Sequence, residues 1–197
     1  MNKKQQIIET SIAVFNEMGI RNATTRHIAD RMGMSAGNLH YHYKHTEDII
    51  LQIFQQLIQE FDEMMEVEHS GPWTLKILED SLAKSFAIQQ RYKFVFINFV
   101  ELGKWIPQIA ESYRENIQKR QIQFRRMIVQ LQEDGTIAAS LSPEELEILV
   151  SQIFILADFW ISFNELVNQL DGQSAVDHYQ AIILRLLQPY LATGAKG

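Results

Sequence analysis

Residues 24–48 read TTRHIADRMGMSAGNLHYHYKHTED. A hydroxyl at Thr24 or Thr25 is placed to satisfy the orphan backbone donors of a helix that runs through Ile28 and Ala29 to Met32. Gly33 can take the left-handed conformation that closes it, and Ser35 caps a second helix over about Ala36 to Tyr43. Leu39 is the apolar residue that holds the second helix to the first. A bland amphipathic hairpin would expose acids and lysines. Here Asn38, His40, Tyr41, His42 and Lys44 offer donors and acceptors to bases and phosphates, and the small Ala36 and Gly37 let the backbone approach a groove floor. Two short helices, a small-residue turn and such a face predict a helix-turn-helix reader of double-stranded DNA.

Outward from this stretch the chain reads as helix after helix, with no convincing period-2 strand. Ile8, Ile12 and Phe15 precede a stop at Gly19 and supply a third helix to the head. Thr46, followed by Glu47 and Asp48, caps a helix carrying Ile50, Ile53, Phe54, Leu57, Phe61 and Met64, which ends near residues 69–72. Pro72 suits the first turn of the next, with Leu75, Leu78, Leu82 and Phe86 along one stripe. One helix from about Tyr92 to Leu102 precedes Gly103. Pro107 opens the longest run, to about Asp134 before Gly135. Ser142, Pro143, Glu144 and Glu145 form a strong start signal, and from Ile148 to Phe163 the helix they open carries a single charge, Asp158. It therefore needs cover on most sides, and Gly172 breaks it. A last helix carries Val176, Tyr179, Ile183, Leu186, Leu187 and Tyr190.

The head resembles the TetR family of one-component transcriptional regulators. The resemblance rests on Ala13, Phe15 and Gly19, then Thr24, Thr25, Ile28, Ala29, Gly33, Ser35, Gly37, Leu39, Tyr41, His42, Tyr43, Lys44, Glu47 and Asp48, within about the first 50 residues. Two positions depart from the pattern: His40 stands where the family usually has tyrosine, and Thr46 where it usually has lysine. With the helical pattern, the resemblance implies an all-α fold of about nine helices. An N-terminal three-helix helix-turn-helix DNA-binding domain would span 1–46, and a larger helical ligand-binding and dimerisation domain 47–197. It also implies a dimeric repressor released from a palindromic operator by a small-molecule effector.

Composition fits that outline. A chain of 197 residues with 46% hydrophobic content can bury a substantial core, and with no cysteine it has neither disulfides nor thiolate metal sites. MNKKQQIIET has no apolar signal core, and no segment supplies about 18 uninterrupted apolar residues for a membrane span, so a soluble cytoplasmic protein is expected. The net charge of −6 argues at first against a nucleic-acid partner. Its distribution answers the objection: residues 1–48 hold six Lys or Arg against five acids, and four of the six histidines, while the body is strongly acidic.

The base-reading candidate is Asn38, helped by His40 and Tyr41; Thr24, Thr25, Ser35, Tyr41, His42 and Lys44 are the phosphate candidates, and Arg26 and Gly37 complete the expected DNA face. Aromatic residues crowd the middle of the body, where each is core by default, but together they leave room for an apolar cavity. The implied effector site is placed on Phe96, Phe99, Trp105, Tyr113, Phe124 and Trp160, with Asp158 orienting a polar or cationic group of the ligand, or serving as a hydrogen-bonded structural acid or a solvent-facing one. The last two apolar helices are expected to form half of an intermolecular four-helix bundle through Ile153, Phe154, Ile161, Tyr179, Ile183 and Leu186. No catalytic motif appears, so no enzyme is expected, and no cofactor. His40, His42 and His45 lie on different helix faces without a thiolate or carboxylate at useful spacing, so no metal site is expected either. The competing reading is a ligand-independent DNA-binding or protein-interaction module with a filled helical body.

Overall fold

The computed structural model describes residues 2–68, 73–138 and 141–192. Asn2 opens α1 (Lys3–Met18) by accepting the Gln5 N–H, and Gly19, at φ 74°, ends it. Thr24 caps α2 (Thr25–Arg31) and Ser35 caps α3 (Ala36–His42). Between them Gly33 takes φ 62°, and the Met34 N–H reaches back to the Ala29 carbonyl at 3.0 Å. The three helices close over Ile7, Ile8, Phe15, Ile28, Ala29 and Leu39, all at 2% exposure or less.

Thr46 is the first residue of α4 (Thr46–Glu68) rather than the cap ahead of it, and Asp48 reaches back to accept the His45 N–H at 3.0 Å. Ile49, Ile50 and Ile53 are buried where α4 leaves the head, and the helix then packs on α5 (Leu75–Arg91) and α8 (Pro107–Glu133). The stop and the proline start expected at residues 69–72 lie outside the described residues; α5 begins behind Thr74, which takes the Ile77 N–H at 3.2 Å.

The single helix expected from Tyr92 to Leu102 is two, α6 (Lys93–Ile97) and α7 (Phe99–Trp105), which brings the α-helices to ten among the described residues. Asn98 breaks them, its amide turned back on the Phe94 carbonyl at 2.7 Å. Gly103 does not end a helix but lies within α7. A Cβ there would sit 3.3 Å from the Ala110 Cβ on α8, so the glycine permits a close helix crossing. The break falls at Ile106, which precedes Pro107 and is extended, as a residue before proline prefers.

A capping box starts α9 (Pro143–Phe163): Ser142 Oγ accepts the Glu145 N–H at 3.3 Å, and the Glu145 carboxylate accepts the Ser142 N–H at 2.8 Å. Those bonds hold the Glu145 carboxyl below its ordinary range. The helix does not run to Gly172. It passes into a π-turn at Asn164–Asn168 and ends at Gln169, in the left-handed region at φ 53°. The Asn164 side chain locks that exit with two bonds to the Leu170 backbone. Gly172 instead opens α10 (Gly172–Leu187), which packs on α9 and α5. By length and composition residues 143–168 are apolar enough to cross a membrane. Here they form a core helix, with Leu149, Val150, Ile153, Trp160 and Ile161 buried and α6, α8 and α10 packed around it. Its outer face is bare: Ile148, Ile155, Phe159 and Phe163 are each more than 40% exposed, so the cover expected on most sides is not supplied by one chain.

Candidate nucleic-acid interface and internal cavity

The exposed face of the head is built by its caps. Thr24 Oγ1 accepts the His27 N–H at 3.4 Å while His27 Nδ1 accepts the Thr24 N–H at 3.2 Å, so a histidine does the work a glutamate does in the usual capping box. Ser35 Oγ accepts the Asn38 N–H at 3.2 Å. Each hydroxyl uses an acceptor lone pair on the helix, and its O–H is able to turn outward to a phosphate. Ser35, Gly37, Asn38, His40 and Lys44 are exposed, and Tyr41 stands 84% clear of the protein. His42 is half-buried, its ring edge-on to Tyr41 at 5.4 Å. Thr24 and Arg26 are exposed and Thr25 half-buried beside them, with Arg26 loosely paired to Asp30 at 3.9 Å. The structure thus brings all ten residues singled out in the head to α2, α3 and their flanks. A Cβ on Gly37 would meet nothing within 4 Å, so nothing inside this chain requires glycine there.

Sequence reasoning did not find how the head is fixed to the body. Asn16 on α1 donates to the Arg91 carbonyl at 2.8 Å and accepts from the Phe94 N–H at 2.9 Å, and the Phe15 and Phe94 rings meet at 5.0 Å. Arg91 pairs with Glu9 at 2.7 Å, Arg21 with Glu101 at 2.9 Å. Tyr92 donates to Glu60 at 2.5 Å and accepts from Gln56 at 3.0 Å; burial and the Glu60 carboxylate push its phenol well up. These are single polar residues on helices rich in glutamine and glutamate, with no local pattern to mark them.

In the body, α4, α5, α8 and α9 enclose a cavity of about 100 Å³. Phe96, Phe99, Tyr113, Phe124 and Asp158 line it, as does Phe61 of α4. Two residues named with them from the sequence lie elsewhere. Trp105, at the end of α7, is 42% exposed and outside the lining. Trp160 is buried against Phe86 and Tyr179, its indole N–H donating to His178 at 3.2 Å. Inside the cavity the Tyr113 hydroxyl donates to Asp158 Oδ2 at 2.5 Å. Burial pushes the Asp158 carboxyl up to about 6, against a smaller downward pull from that hydrogen bond. Asp158 lines the cavity and is half-buried.

The residues expected at a dimer seam are placed differently. Ile153, Phe154 and Tyr179 line the same cavity, and Ile161 and Ile183 are 1% exposed inside the protomer. Leu186 is half-buried against the core. The reason is that α9 is apolar all round, so spacing alone does not tell its inner stripe from its outer one. The stripe left uncovered is Ile148, Ile155, Phe159 and Phe163, continued by Leu166 and Val167 on the π-turn. Gln89, Asn116 and Arg120 also line the cavity and went unnoticed in the sequence, because an isolated polar residue on an amphipathic helix reads as solvent-facing.

Known proteins with this sequence pattern and shape were compared with the chain. Residues 7–53 match the profile described as bacterial regulatory proteins, tetR family, and residues 53–196 the TetR profile described as bacterial transcriptional repressor. The HTH-type transcriptional repressor KstR2 of Mycobacterium tuberculosis is 26% identical over 187 residues, 93% of this chain and 92% of that protein. The fatty acid metabolism regulator protein of Bacillus subtilis is 31% identical over 74 residues, 38% of each chain. Among solved structures, a TetR-family transcriptional regulator from Marinobacter aquaeolei superposes with a TM-score of 0.88 at 26% identity, covering 98% of this chain and 92% of its own. The ketosteroid transcriptional regulator KstR2 of Mycobacterium tuberculosis shares the fold, with a TM-score of 0.75 at 15% identity over 98% and 96% of the two chains.

Proposed function

This chain belongs to the TetR family of bacterial transcriptional regulators, DNA-binding proteins and not enzymes, and from that premise we propose a homodimeric repressor that leaves a palindromic operator when a small, mostly apolar effector enters the body. Work on DNA implies a cytoplasmic location. The observation that carries the reading is the α3 surface: an exposed amide, hydroxyl and aromatic face around a glycine that nothing inside the protein requires. A groove approached closely from outside gives that glycine a purpose. The domain division falls within the start of α4, with 1–46 as reader and 47–197 as sensor and dimer body.

The uncovered stripe of α9 supports the dimer. It is a mostly apolar ridge, interrupted by the exposed Gln152, on a helix otherwise packed in the core, and a second copy related by a two-fold axis buries the same ridge from both sides. Two heads then meet two half-sites about one DNA turn apart. The cavity supports the effector. Its volume of about 100 Å³ is below the roughly 150 Å³ of a cavity that takes benzene, so even a small aromatic guest needs the walls to yield a little. A body of steroid or fatty-chain size, as the relatives' names suggest for them, enters only if the walls move. One of those walls is α4, which also packs on α1 of the head. A guest that favours the displaced position of α4 shifts the heads away from operator spacing, by no more than its difference in affinity between the two states.

Selection of the purified protein on random duplex DNA, followed by titration of the winner at two salt concentrations, tests the reading. The expected winner is a palindrome bound with steep salt dependence. Lys44→Ala weakens all sequences alike, while Asn38→Ala changes the preferred base. No enrichment from the pool overturns the operator-binding assignment, and uniform loss in both variants overturns the division of roles.

A further inference from the structure

The polar groups of the cavity are unevenly used. Arg120, the cation in its lining, is buried and pairs with Asp62 of α4 and with Gln123 at 3.0 Å. Two acceptors are left without a donor. Asp158, which lines the cavity, takes one hydrogen bond, on Oδ2, among the described residues, so its Oδ1 is open to a donor from a guest. Gln89 is 1% exposed and spends its amide N–H groups on Ser85 Oγ at 3.2 Å and the Tyr179 hydroxyl at 2.9 Å, so its Oε1 is buried without a donor. Around the carboxylate the walls are aromatic: the Phe99 and Tyr113 rings meet edge to face at 4.3 Å, and the Tyr113 hydroxyl is the group on Asp158.

An acid whose charge is unbalanced in an apolar, aromatic chamber excludes anions and favours a cation that can also donate. Given the effector reading above, we propose that this cavity selects an apolar amine, its ammonium seated against Asp158 Oδ1 and the Phe99 and Tyr113 rings. A carboxylate or acyl anion meets Asp158 as a like charge, and its natural partner Arg120 is already engaged with Asp62. A neutral alcohol satisfies one acceptor but leaves the charge unmatched.

Isothermal titration of the full chain with benzylamine, benzyl alcohol, benzoate and toluene, at about pH 7.5, separates these cases with small aromatic probes of one shape. Benzylamine is expected to bind about tenfold or more tighter than toluene, as charge-assisted hydrogen bonds allow, with benzoate weakest. In Asp158→Asn the amine loses that advantage while toluene binds as before. A second arm needs no variant. Among the described lining residues Asp158 alone changes charge between about pH 5 and 7.5: the phenols of Tyr113 and Tyr179 are pushed upward by burial, and Arg120 stays charged. The benzylamine advantage therefore shrinks on acidification through about pH 6, while toluene is unaffected. Benzoate binding as tightly as benzylamine, or an advantage that is flat with pH, overturns the amine assignment and leaves the effector site standing. Failure of all four probes, toluene included, removes the effector site and the amine assignment with it.

Discussion

Gly37 lies in the second position of α3 with open space where a Cβ would be, so its substitution separates folding from function. Alanine is the better helix former by about 0.5–1 kcal/mol and meets no clash inside the protein. Gly37→Ala is therefore expected to raise the urea midpoint slightly and to weaken operator binding; a variant that gains stability and keeps full affinity would show that the backbone here does not approach DNA closely. Asp158 separates the two in another way. Its carboxyl is raised to about 6 in the folded chain against about 3.9 unfolded, so its protonated form favours folding. That contribution is complete below about pH 4 and is lost as pH rises through 6. Relative to Asp158→Asn, which keeps an acceptor for Tyr113, the unmutated protein is expected to lose roughly 2–3 kcal/mol between those limits, read from urea midpoints at each pH. A difference that does not change with pH would mean the acid is solvated.

Among the helices, α9 shows how far local chemistry reaches. Its start is written in four consecutive residues, and Ser142→Ala is expected to cost about 1 kcal/mol in urea unfolding by freeing the Glu145 N–H and loosening the reciprocal bond to Ser142. Thr24, Ser35, Gly19, Gly33 and Gly135 were legible for the same reason: a cap, or a left-handed backbone, is decided within a few residues. What was not legible depended on partners distant in sequence. The split at Asn98 lacks glycine or proline, and Gly103 looked like a stop because nothing local reveals Ala110 beneath it. The end of α9 at Gln169 replaces the expected break at Gly172 because Asn164, and not a glycine, supplies the closing bonds. In the cavity, aromatic crowding pointed to Phe96, Phe99, Tyr113 and Phe124. It could not point to Gln89, a polar residue turned inward on an amphipathic helix.

At the scale of the whole molecule, the bare ridge of α9 is apolar surface that the described residues leave uncovered. A charge placed in its middle, Phe159→Glu, opposes its own image across a two-fold axis. Sedimentation is expected to show twice the 22.9 kDa chain mass for the unmutated protein and a single chain for the variant. Operator affinity should fall about a hundredfold or more as the second half-site contact is lost. A variant that still sediments as a dimer would move the interface off this ridge.

Asn16 gives the assembled protein a property of its own. One amide, donating to Arg91 and accepting from Phe94, ties each head to its body where a carboxylate, which only accepts, could not make both bonds. Heads so fastened turn with their bodies and not on their own, so in the guest-free state the distance between them behaves as a ruler cut to one length. Adding a single base pair between half-sites turns one of them by about 35° around the duplex. In its guest-free state the proposed dimer does not follow that turn, so in a genome it would pass over well-matched half-sites whose separation is wrong.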